Sequence, residues 1–195
     1  MSSFIGHALA GAAAWLACNR LDDKRALRAL PVFVLLAVCP DFDYFALWLF
    51  DYRIWPRFSH SLLFGLVTAT LAWWLCGPWR KAGVARSPLL ALAAASLSHP
   101  LLDVLVGAHP VALLWPLPNP DVALPIGILP SAGRLQLGNY YLWRNLLIEL
   151  SILLPVMMLA VALAKRLPAR KIALWAAIAV PVWLPFVAWS VQLRR

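Results

Sequence analysis

Six apolar runs, at residues 4–18, 31–50, 59–77, 88–106, 140–163 and 172–191, make up most of this 195-residue chain. A bilayer core takes roughly 20 apolar residues per helical crossing. Inside it, every backbone N–H and C=O must find its partner within the segment, so the crossing elements have to be helices. Runs of this length and number predict an all-α fold: a polytopic membrane helix bundle of about six helices, forming one integral membrane domain over residues 1–195. The composition agrees, with 63% hydrophobic and 13% charged residues, where soluble domains have about half and a quarter. The run at 4–18 is short for a crossing and is also compatible with a half-inserted helix.

The connections carry the next layer of information. Residues 107–139 contain Pro110, Pro116, Pro118, Pro120, Pro125 and Pro130. Proline removes an N–H and clashes with the preceding helical turn, so this stretch is predicted to be a structured loop or re-entrant cap over the bundle. The chain carries a net charge of +9 from 17 basic and eight acidic residues. Four basic residues lie in 19–30 (Arg20, Lys24, Arg25, Arg28), three in 78–87 (Arg80, Lys81, Arg86) and four in 164–171 (Lys165, Arg166, Arg170, Lys171). The alternate side holds five, Arg53, Arg57, Arg134, Arg194 and Arg195, and Arg144 falls inside a run. The positive-inside rule puts the three rich loops in the cytoplasm, with both termini and 107–139 outside. Basic charge placed in this way describes topology, so the partner it implies is the lipid bilayer and no nucleic acid is expected. Cys18, Cys39 and Cys76 have no ligand-like spacing and read as inert, with no disulfide framework. No basic region precedes 4–18 and His7 interrupts it, so a cleavable signal is not expected.

Polar islands interrupt the apolar runs. His99 and Asp103 are four residues apart, which places them on one face of a helix. Pro40-Asp41-Phe42-Asp43, Ser59-His60-Ser61 and the lone His7 are the others. An ionisable group at membrane depth costs about 2.5–3.5 kcal/mol even on lenient scales and marks function by default. Carried through the topology above, nearly all these groups converge on the outer half of the bundle. Five of the eight acidic residues lie in or against apolar runs, while Arg144 is the one base within a run. A metal ion or a proton is then the natural source of compensating charge. Neutral imidazole with carboxylate suits zinc and its neighbours. The predicted ligands are His7, Asp41, His60, His99 and Asp103, with Asp43, His109 and Glu149 as possible additions. A lone membrane histidine can equally be a helix–helix hydrogen bond; it is the set that favours metal.

Other polar residues have plainer readings. Asp22, Asp23 and Asp51 read as solvated loop charges and Asp121 as a turn residue. Arg144 and Glu149, five residues apart, leave an ion pair and a site role equally open. The tryptophans read as interfacial belt and packing, with Trp115 a candidate for a pocket mouth. Ser59 and Ser61 lack the Gly-x-Ser-x-Gly setting of a serine nucleophile.

Taken in order, His7-Ala-Leu-Ala-Gly11, Pro40-Asp-Phe-Asp43, Arg57-Phe-Ser-His-Ser-Leu62, Ser98-His-Pro-Leu-Leu-Asp103 and Pro110…Leu114-Trp-Pro116 resemble the YdjM family, described as LexA-regulated, membrane-bound, metal-dependent hydrolases of bacteria. The resemblance covers roughly residues 3–118, with the helices of 140–191 matching in hydropathy. Where that family carries His-Arg before its Thr/Ser-His-Ser, this chain has Trp55-Pro56. The order His, Asp, His, His-x-x-x-Asp is also distantly similar to zinc-dependent phospholipase C, a three-zinc phosphodiesterase. Its His-x-x-x-Glu is replaced here by Asn145-Leu-Leu-Ile-Glu149, which reduces the expected count to one or two ions, most simply zinc.

These resemblances imply a membrane-bound hydrolase of the bacterial inner membrane, using metal-activated water on a phosphoester or lipid-linked substrate from the extracytoplasmic side. Asp41, His60, His99 and Asp103 would hold the metal, and His7 would complete it or serve a second ion. Asp43 or Glu149 would be the general base, and Arg57 would clamp a substrate phosphate. Two other classes compete: a transporter or proton-coupled carrier with titrating acids and no metal, and a non-catalytic protein with a closed structural metal.

Overall fold

A computed structural model of the chain describes residues 3–52, 54–76, 89–131 and 136–193. Arg53, Arg134, Arg194, Arg195 and the basic loop 78–87 lie outside the described residues. The helices are α1 (Phe4–Cys18), α2 (Leu30–Val38), α3 (Asp43–Phe50), α4 (Leu62–Leu75), α5 (Leu89–Val106), α6 (Tyr140–Ala164) and α7 (Ala169–Gln192), with 3-10 turns at Ala26–Ala29, Cys39–Phe42 and Phe58–His60. No strand occurs among the described residues; an isolated antiparallel bridge pairs Val111 with Val122. Residues 107–131 and 136–139 contain no helix, as their prolines dictate.

Four segments are long and apolar enough to cross a membrane: Ala26–Leu47, Leu89–Val106, Tyr140–Ala164 and Ala169–Gln192. Phe4–Cys18 and Leu62–Leu75 are apolar but shorter. At 1.5 Å per residue each spans only about 20–22 Å, less than a hydrocarbon core.

α1 is the centre of the bundle, packing on α2, α5 and α6; α5 also packs on α2 and α4, and α7 rests on α6. Small residues permit this. A methyl group added at Gly11 would sit 2.5 Å from the Phe33 carbonyl oxygen, so only glycine lets α1 and α2 approach this closely. Small interfacial residues are how membrane helices gain contact when burial from lipid offers no hydrophobic gain. One core gathers Trp15, Phe33, Leu36, Ala69, Leu92 and Ala95. A second gathers Ala10, Leu102, Val106, Leu129, Ile148 and Ile152. Trp15 is core and not belt: it is 1% exposed and its Nε1 donates to the Ala26 carbonyl.

Two runs differ from the sequence reading. The run 31–50 tightens at Cys39–Phe42 into a 3-10 turn with Pro40 at its start, and α3 then begins at Asp43. The run expected from 59 opens with the 3-10 turn Phe58–His60 and becomes α-helical only at Leu62, where Ser61 caps α4 by accepting from the Phe64 N–H. Both irregularities set polar side chains at helix ends.

The two ends of the bundle are distinguishable. At one, Lys165 Nζ donates to the Asn19 carbonyl, so the basic loops after α1 and α6 share an end. At the other, the Ser3 N–H donates to Glu149 Oε1. His7, one turn into α1, belongs to that second end.

Candidate metal centre

Five side chains that are remote in sequence meet here. α1 supplies His7, the turn after α2 supplies Asp41, the turn before α4 supplies His60, and α5 supplies His99 and Asp103. All five are buried, none more than 3% exposed. Asp41, His60, His99 and Asp103 form a group whose ligand atoms all lie within 4.8 Å of one another and could hold a metal ion.

The spacing is informative. His60 Nε2 lies 3.5 Å from Asp41 Oδ1 and 3.4 Å from Asp103 Oδ2. His99 Nε2 lies 3.6 Å from Asp41 Oδ1 and 3.7 Å from Asp103 Oδ2. Buried hydrogen bonds would draw such pairs to about 2.7–3.2 Å, yet Asp41 Oδ1, His60 Nε2 and His99 Nε2 have no hydrogen-bond partner. Bonds of 2.0–2.1 Å to a tetrahedral zinc put neighbouring ligand atoms about 3.3–3.4 Å apart. The four His–Asp separations, 3.4–3.7 Å, are therefore close to the edge length of a metal polyhedron, and the donor set is one that divalent transition metals accept.

Outer partners aim the imidazoles. His99 Nδ1 is 2.7 Å from the Ala37 carbonyl oxygen. A carbonyl only accepts, so Nδ1 carries the proton and Nε2 presents its lone pair to the centre. His60 Nδ1 is 3.1 Å from Ser59 Oγ and 3.8 Å from Asp43 Oδ2. Support of this kind on the far nitrogen is the usual company of a metal-bound histidine.

Charge points the same way. Arg57 is committed to Asp43, through Nε at 2.7 Å and Nη2 at 2.8 Å, and reaches Asp41 Oδ1 only at 3.9 Å. Burial works against the Arg57 charge, but the Asp43 hydrogen bonds prevail and raise its pKa. Asp41 and Asp103 face three imidazoles at 3.4–3.9 Å, and a divalent cation among them would match the charge of two carboxylates.

A pocket of about 460 Å³ opens onto this centre. Its lining includes His60 and Asp103 of the group, together with Asp43, Tyr44, Arg57, Trp55, His109 and Asp121. His109 and Asp121, both on the proline-rich stretch, are thus brought to one cavity. Trp115 packs on Phe58 and does not line it.

The remaining predicted residues fall elsewhere. Glu149 is 1% exposed and outside the pocket lining. It accepts from the Ser3 N–H, and a methyl group at Gly6 would collide with its Oε1. Arg144 donates to Asn145 Oδ1 and lies over the Tyr141 ring, so of the two readings for Arg144 and Glu149, each has a different partner. Ser61 is a helix cap and Ser59 a neighbour of His60. Cys18, Cys39 and Cys76 form no disulfide. Sequence reasoning missed the Ala37 carbonyl, Ser59 as a buttress, and Tyr44 beside Arg57. Of these only Ser59, adjacent to His60, left any signal.

The model of the YdjM inner membrane protein family matches residues 1–183. No curated protein and no solved structure matches the chain. The chain belongs to the YdjM inner membrane protein family.

Proposed function

We propose that this member of the YdjM inner membrane protein family is a multi-pass, metal-dependent hydrolase of a phosphoester on an amphiphilic or lipid-linked substrate, with zinc the simplest metal. The observation that carries the reading is a group of four buried ligand atoms, all within 4.8 Å of one another, two of whose residues, His60 and Asp103, line an open pocket. A purely structural zinc site is closed by protein ligands, whereas a catalytic one faces a cavity.

A divalent ion held by Asp41, His60, His99 and Asp103 would activate water and polarise a phosphoryl oxygen. The chain's own residues do the rest. His99 and His60 are locked in orientation by Ala37 and Ser59. Arg57, its side chain still 25% exposed beside the pocket, offers a charged donor surface to a substrate phosphate. Asp43 lines the pocket and is the better placed of the two candidate bases to accept a proton. Glu149 is assigned the positioning of the first turn of α1, and so of His7. The mostly apolar pocket wall, with Leu47, Ile54 and Trp55, suits a substrate with a hydrocarbon part.

The pocket is at the end of the bundle opposite Asn19 and Lys165. With the basic loops in the cytoplasm, substrate would enter from the extracytoplasmic side. The test is hydrolysis of phospholipids and lipid-linked phosphates in mixed micelles by metal-loaded protein, wild type beside Asp43→Asn. Turnover that falls at least tenfold in the variant while bound metal is retained supports the assignment. Bound metal with no phosphoester turnover would instead favour a structural metal.

A further inference from the structure

The metal position just described uses one oxygen of each aspartate. The other two, Asp41 Oδ2 and Asp103 Oδ1, are on the side of His7, 3.9 Å and 3.5 Å from its Nε2. Each carboxylate therefore spans from the His60–His99 pair on one side to His7 on the other. The His7 and His99 rings are stacked, with centroids 3.7 Å apart and planes inclined by 16°. An imidazole binds metal in its own plane. Two stacked rings that turn Nε2 toward the same two carboxylates offer two such positions side by side, about one ring spacing apart. Paired metal ions bridged by shared ligands stand about 3.5–4 Å apart, which is the same distance.

We infer that His7 Nε2, Asp41 Oδ2 and Asp103 Oδ1 form a second divalent-cation position, joined to the first by both aspartates acting as bridges. The inference rests on the metal reading above. Three protein atoms would leave the coordination of a divalent ion to be completed by water or an anion. The first ion neutralises the two aspartates, so the second brings uncompensated positive charge. It binds more weakly than the first, and an anion that spans both ions strengthens it. Inorganic phosphate has that charge and shape, which ties the second position to a phosphoryl substrate.

The experiment is a manganese titration of chelator-stripped, detergent-purified full-length protein, followed by electron paramagnetic resonance. Two equivalents per chain are expected, the second producing a spin-coupled spectrum. Added inorganic phosphate should tighten the second equivalent and leave the first unchanged. His7→Ala, and the more polar His7→Gln, should bind one equivalent with an uncoupled spectrum. One uncoupled equivalent in the wild type, lost in His99→Ala, would overturn the second position and leave the single-metal reading intact. No bound manganese in the wild type would overturn both. The wild-type stoichiometry decides the matter even where a variant fails to fold.

Discussion

α5 and α7 are both long and apolar enough to cross a bilayer, yet half of α5 is buried inside the protein and none of the most apolar 18-residue window of α7. Hydropathy tells that a segment can cross; it does not tell what it packs against. α5 carries Ala95, Ser96, His99 and Asp103, all nearly inaccessible, and is enclosed by α1, α2 and α4. α7 presents Leu174, Ile178 and Val182 outward, 62–67% exposed, and buries only Ser190. It is attached to α6 through one face, where Trp183 Nε1 donates to the Ile152 carbonyl. In a membrane the small and polar side chains mark the interior and the large aliphatic ones face lipid. Two members of the candidate metal group, His99 and Asp103, are on the helix with the small and polar residues.

The sharpest way to break this contrast is Asp103→Ala in α5. It removes a carboxylate close to three imidazoles, and the expected result is loss of bound metal below detection by elemental analysis. Gly11→Ala attacks the packing instead. Its added methyl meets backbone at Phe33, which cannot swing aside, so the protein should lose about 1–3 kcal/mol of stability, as overpacked cores do. A lowered thermal unfolding midpoint in detergent checks it. Ser59→Ala leaves every metal ligand in place but frees the His60 ring; metal affinity should drop about tenfold, the low end for outer-shell partners, as read by competition with a chelator. At the bottom of the scale, Ile178→Ala on the outer face of α7 should alter stability by no more than about 0.5 kcal/mol and leave metal content unchanged. A large loss there would mean that α7 is not the lipid-facing helix described.

The sequence made the candidate ligands legible because their chemistry is expensive where they stand. His7, Asp41, His60, His99 and Asp103 are ionisable groups in apolar runs, and the i, i+4 spacing of His99 and Asp103 survives as one helix face. What it hid was decided by geometry between elements. Nothing local says that Arg57 turns back fourteen residues to engage Asp43, or that the Ala37 carbonyl on α2 meets an imidazole of α5. The 3-10 turn at Cys39–Phe42 was signalled by Pro40 but concealed by the strong hydropathy around it. The start of α4 was legible in principle, since Ser61 is a good N-cap, and was masked by the apolar residues beyond it. His109 and Asp121 reach the pocket through a proline-rich stretch whose path no periodicity describes. Glu149 stood out as an intramembrane acid, yet its partner is the Ser3 N–H at the far end of the sequence.

The central claim is that this bundle is built around a metal, and the metal content of detergent-purified protein tests it most directly. Wild type, His99→Ala and Ile178→Ala should be measured side by side after supplementation with zinc, manganese and iron. The account predicts near-stoichiometric metal in the wild type and in Ile178→Ala, and none in His99→Ala. Wild-type protein that remains metal-free would contradict it and would return the buried acids to a proton-coupled carrier.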